Sequence, residues 1–270
     1  MRRVLWLCAL MASLALTSYD VSRQTFAEGR ASSIKQGEFS HFVFLPLVAK
    51  SEPCRPIPGA SYSTIPASPP HPHIPASEHP DLNLAVRGYI VNPYAYLGLV
   101  DYGGDIDPNA PQLYGLFQDD RVPDFVGGYR VYDWDWANNR RGEPIMTWDV
   151  TLLGMKTTPR ELIHLPYSGY EIYPGYSALV LYAEETRITL VYTRKDTVAE
   201  GYALHLEDIC VDPNLVALYR EMNSQGRYYL PALGKKQPFA TARGSEIKVA
   251  IRDAGSFMDP RSRKDWWRGK

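Results

Sequence analysis

Arg187-Ile188-Thr189-Leu190-Val191-Tyr192 and, further on, Ile247-Lys248-Val249-Ala250-Ile251 decide how this chain reads. Both stretches are rich in β-branched residues, have strand length, and alternate or run apolar without helical spacing. Ala178 to Ala183 and Gly201 to Leu206 read the same way, and Asp196 with Gly201 bounds a hairpin. One helix stands out. Asp212 suits an N-cap, Pro213 suits a first turn that needs no N–H donor, and Leu215, Leu218, Tyr219 and Met222 share one face before Gly226. No repeat, heptad run or glycine-rich phosphate loop interrupts the pattern. The expectation is a mainly β fold (β-rich α+β): a single β-sandwich domain over residues 82–270 with one main helix.

Composition narrows the function classes. The 270 residues are 45% hydrophobic and carry 29 Lys and Arg against 30 Asp and Glu, a net charge of -1. A nucleic-acid binder needs a basic excess to neutralise phosphates, so nucleic acid is excluded as a partner. Arg2 and Arg3 precede an apolar run from Val4 to Leu16, which reads as a secretory signal region over residues 1–27. The run is short of the ~20 residues of a membrane span, so no transmembrane helix is expected in the mature chain. Both Ser13-Leu14-Ala15 and Thr25-Phe26-Ala27 suit cleavage. The expected location is extracellular or in the cell envelope. With Cys8 inside the signal, Cys54 and Cys210 remain, either as a disulfide in an oxidising compartment or as two separate thiols.

Between Ser51 and Pro80 nine residues are proline, which reads as an extended arm over 28–81 kept out of sheets and helices. His41 to Val48 forms an apolar island before it, suited to one added strand. His71, His73 and His79 lie in the arm, where an extended chain does not easily converge three metal ligands.

Three groups of residues could carry chemistry. In a strand, Tyr132-Asp133-Trp134-Asp135-Trp136 places Tyr132, Trp134 and Trp136 on one face and Asp133 and Asp135 on the other. Aromatic faces beside carboxylates suit a sugar, though the same aromatics serve equally well in a core. Asp133 and Asp135 begin like a calcium loop but lack its glycine and glutamate. Asp101, Asp105, Asp107, Asp119, Asp120 and Asp124 form an acidic stretch that suits paired carboxylates or a solvated loop. At the end, Arg261, Arg263, Lys264, Arg268 and Lys270 interleave with Trp266-Trp267, which suits either an anionic polymer or a tryptophan pair capping the core.

The order Tyr202-Ala203-Leu204-His205-Leu206, Leu230 to Phe239 with Gly234 and Gln237, and Glu246-Ile247-Lys248 running on to Asp259-Pro260 resembles the second half of the lysostaphin-type zinc endopeptidases. Gly104-Asp105-Ile106 is similar to their Gly-x-Asp-Ile segment. The resemblance covers the C-terminal third and implies a duplicated-hybrid-motif β fold and a peptidoglycan substrate. The chain departs from the family where zinc would bind. The family's His-x-His falls on Glu246 and Lys248, and a charged lysine has no lone pair for a metal. The first ligand histidine is replaced by Asp101 or Tyr102. One residue too many separates Tyr202 from His205, so the two face opposite ways.

The expected function is therefore a secreted, non-catalytic envelope domain without a cofactor, binding cell-wall glycan or peptidoglycan, or an envelope protein, through Tyr132, Asp133, Trp134, Asp135 and Trp136. An active hydrolase is the alternative: a zinc peptidase drawing on Asp105 and His205 with catalytic His205 and Glu246, or a carboxylate glycosidase, with His164 in reserve. A purely structural envelope protein is the third.

Overall fold

The computed structural model describes residues 53–68 and 74–270, which belong to one compact unit spanning 51–270. The signal region, the apolar island, His71 and His73 lie outside the described residues. The chain forms β1 (Ser63–Pro66), a four-residue helix α1 (Leu84–Arg87), β2 (Tyr89–Val91) and, after a 3-10 turn at Leu113–Leu116, β3 (Phe125–Asp135) and β4 (Arg140–Pro144). It continues through β5 (Leu152–Lys156), β6 (Leu162–His164), β7 (Ala178–Glu184), β8 (Arg187–Val191), β9 (Tyr202–Glu207) and β10 (Ile209–Val211). Helix α2 (Pro213–Ser224), β11 (Tyr229–Leu233), β12 (Pro238–Ala242), β13 (Glu246–Asp253), β14 (Ser256–Met258) and a last turn, α3 (Arg263–Trp266), complete it.

The fold is mainly β. Eleven strands make one antiparallel sheet in the order β1-β11-β7-β8-β9-β13-β5-β3-β2, with β14 on β13 and β4 on β3. A smaller sheet, β10-β12-β6, shares its core: Ile163, Ile209, Val211 and Phe239 join Leu190, Leu204, Leu206, Val249 and Ile251 in one apolar cluster. The strand-length apolar runs are strands, and β8 and β9 form the hairpin bounded by Asp196 and Gly201. In α2, Asp212 Oδ1 caps the Asn214 amide at 2.8 Å, Pro213 takes the first turn, and Leu215, Val216 and Tyr219 are buried. Among the described residues no helix is long and apolar enough to cross a membrane.

The proline-rich stretch departs from its reading. Instead of an arm to residue 81, Ser63–Pro66 is an edge strand on β11, Ile57, Ala76 and Leu82 are buried, and Cys54 is disulfide-bonded to Cys210 across a Cα separation of 5.2 Å. Proline is tolerated there because an edge strand leaves one row of amides without ladder partners.

Candidate functional site

The strands that carry His205 and Lys248, β9 and β13, are neighbours in the centre of the large sheet. His205 and Glu207 of β9 and Glu246, Lys248, Ala250 and Arg252 of β13 stand outside the main core cluster. One row across this face reads Arg187, Glu207, Lys248, Gly154, Gly127, and the next reads Thr189, His205, Ala250. Arg187 Nε donates to both oxygens of Glu207 at 2.9 and 3.1 Å. Burial pushes the Glu207 carboxyl up to about 7 even though Arg187 opposes the rise. Lys248 is ion-paired with Asp208 and lies 5.3 and 5.8 Å from the ring centres of Tyr129 and Tyr89. Tyr129 donates to Glu246 Oε1 at 2.9 Å, and burial pushes its hydroxyl up to about 12. A Cβ at Gly154 would collide with the Glu246 carboxylate, so glycine is what allows Glu246 to fold back over β5.

His205 sits beside this row, fully buried in β9 and stacked 6.0 Å from the Phe257 ring. Two cations meet the same ring, Arg252 at 4.6 Å and Arg87 at 5.6 Å, and both bind Asp81 Oδ1, at 2.8 and 2.7 Å. Burial of Asp81 opposes its ionisation, yet Arg252 and Arg87 hold it below the usual carboxylate range. The metal-ligand expectation is not met by proximity. Asp105 lies in an exposed loop whose backbone carbonyl takes Lys264, Glu246 is occupied by Tyr129, and His205 is enclosed. Among the described residues no three His, Cys, Asp or Glu side chains gather as a metal site. The acidic stretch is likewise dispersed into ion pairs, Asp101 with Arg263, Asp119 with Arg121, Asp120 with Lys236 and Asp124 with Lys156, while Asp107 accepts from Tyr202.

The aromatic strand becomes the β3–β4 hairpin. Trp136 falls in its turn, not in the strand, because Asp135 closes that turn: Oδ1 accepts the Asn138 amide at 3.2 Å, and Oδ2 accepts Asn138 Nδ2 at 2.7 Å and Arg140 Nε at 3.2 Å. Asp133 accepts the Trp134 amide at 2.8 Å. Tyr132 lies under the Arg141 guanidinium at 5.1 Å, and Trp136, 52% exposed, leans on His79 at 5.8 Å. Trp134 lines a concavity of about 300 Å³ together with Asp133, Asp135, Glu143 and Met146, and its buried indole Nε1 has no hydrogen-bond partner among the described residues. Buried polar groups left unpaired in a folded chain are few.

Sequence reasoning missed Tyr89, Tyr129, Arg187, Glu207 and Asp208 as a group, and Asp81, Arg87 and Arg252 as another. The signal was the alternation Glu246, Lys248, Ala250, Arg252, which marks one side of β13 as polar even though the strand lies inside the sheet. The chain matches no protein-family model, no curated protein and no solved structure.

Proposed function

We propose that the chain is an exported, non-catalytic envelope domain that binds a cell-wall glycan through the β3–β4 hairpin. The observation that carries this reading is Trp134, which lines a concavity together with Asp133, Asp135 and Glu143. A sugar offers C–H faces to an aromatic ring and hydroxyls to carboxylates, and this group supplies both. The disulfide supports export, since such bonds persist in oxidising compartments. The non-catalytic reading is supported at the positions of the peptidase-like motif, where Lys248 is neutralised by Asp208 and Glu246 accepts from Tyr129.

A second reading, a hydrolase on a fold similar to the lysostaphin-type peptidases, draws on Glu207, because a carboxyl poised near neutrality is characteristic of acid–base sites. Arg187 holds both its oxygens, and the residue is 3% exposed, which favours the binding reading.

Co-sedimentation with insoluble cell wall separates the two. Trp134→Ala is expected to abolish binding, and Trp136→Ala, at an exposed site, to weaken it with Tm unchanged. Binding that survives both would remove the hairpin from the site. Release of soluble wall fragments by the parent that stops in Glu207→Gln would establish the hydrolase instead.

A further inference from the structure

The C-terminal cations find a different role from the tryptophans beside them. Trp266 and Trp267 are buried, their indole N–H groups donating to the Asp259 and Pro260 carbonyls at 2.8 Å. The chain then returns to the surface. Arg268 bonds the Pro108 and Ala110 carbonyls at 3.2 Å, and Lys270 Nζ stands 4.8 Å from the Tyr114 ring centre. Tyr114 and Tyr167 touch through their hydroxyls with rings at 75°. The β11–β12 turn also reaches Tyr167, with Lys235 Nζ at 5.3 Å and Lys236 Nζ at 5.8 Å from its ring centre. Three lysines from two distant stretches of sequence thus stand against a tyrosine pair, with Arg268 anchored beside them. Asp120, bound to Lys236 at 2.6 Å, is the acid paired within the group.

Cations crowded around two rings repel one another. Lys235 and Lys270 have no carboxylate partner among the described residues to offset this, and both are exposed. Beside the Lys236 ion pair are two acceptors without a donor, Asp120 Oδ1 and His164 Nδ1. Burial first, and Lys236 beside it, keep His164 below its usual pKa against a backbone hydrogen bond to Leu116, so the neutral ring has one nitrogen with a free lone pair. Both acceptor atoms are buried beside the exposed Lys236 side chain.

From this geometry we propose a second ligand site, for an acidic saccharide, at Tyr114, Tyr167, Lys235, Lys236 and Lys270. Its acid group lies against the ammonium groups of Lys235 and Lys270, its ring C–H face against the tyrosines, and its hydroxyls donate to Asp120 Oδ1 and His164 Nδ1. The two acceptors favour a sugar over a bare anion, which has no proton to give them. The site is separate from the hairpin and stands or falls independently of it.

The test is calorimetric binding of polygalacturonate oligomers, with neutral dextran and phosphatidylglycerol vesicles as comparison probes. The parent is expected to bind the uronate polymer more weakly as salt rises, and to leave dextran unbound. Lys235→Glu with Lys270→Glu should weaken binding about tenfold or more at unchanged Tm, equivalent to about 1.4 kcal/mol. Trp136→Ala should leave it unaltered, which keeps this site distinct from the hairpin. Absence of uronate binding, equal affinity for dextran, indifference to the charge reversal, or affinity for the vesicles alone would each overturn the proposal.

Discussion

Thr189 Oγ1 donates its proton to the Leu82 carbonyl at 2.6 Å, so in its 2.9 Å contact with His205 Nδ1 it can only accept. His205 therefore carries its proton on Nδ1, and Nε2 is a buried lone pair without a partner among the described residues. Protonating it would bury a charge next to Arg252, and burial first, Arg252 second, pull the pKa down to about 3. The unfolded histidine titrates near 6.5, so below that pH the unfolded chain takes up a proton that the folded chain refuses. Stability is thus fully present above about 6.5 and falls by about 1.4 kcal/mol per pH unit as the pH drops toward 3. His79 and His164, also lowered by burial, act with the same sign, so the informative quantity is the difference between variant and parent. His205→Gln is expected to be less stable at pH 7 yet to lose less between pH 7 and pH 5, read from urea midpoints. Parallel losses in the two proteins would exclude His205 as the source.

Asp212 serves two elements at once. Its Oδ1 caps α2, and its Oδ2 accepts the buried Ile57 amide at 2.8 Å, fastening the segment before β1 to the helix. Removing a cap costs about 1 kcal/mol, and leaving a buried amide unpaired costs about 1–3 kcal/mol more. Asp212→Ala is therefore expected to lose about 2–4 kcal/mol by chemical denaturation; a loss no larger than that of an ordinary cap would mean Ile57 finds another acceptor. The cap was legible in sequence and the second bond was not, because nothing local shows that residue 57 returns to residue 212. The same holds for β1. Its proline argues against a strand, and only its place at the sheet edge, with Ser63 to Pro66 opposite Tyr229 to Ala232, reconciles the two. The strands β7, β8, β9 and β13 were legible because apolar runs and alternation are local signals. The polar groups they carry converge only through register, which the sequence of one strand does not contain.

On the scale of the molecule, the last residues are structural. Asp259 accepts Arg261 at 2.9 and 2.7 Å, Trp267 packs 5.6 Å from Phe125, and both tryptophans are buried. A chain ending at Met258 is expected to show no cooperative thermal transition, since it uncovers two indoles' worth of core and leaves the surrounding carbonyls and Phe125 open to water. A cooperative transition near the parental Tm would show that the core closes without them. The central position of β13 has a further consequence for synthesis. It pairs with β9 on one side and β5 on the other and, among the described residues, is the one strand that joins the two halves of the sheet. Until residues 246–253 leave the ribosome, the nascent chain holds two half-sheets, each ending in a bare edge. A chain stalled before β13 is therefore expected to expose the unpaired edges of β9 and β5, where other strands can add.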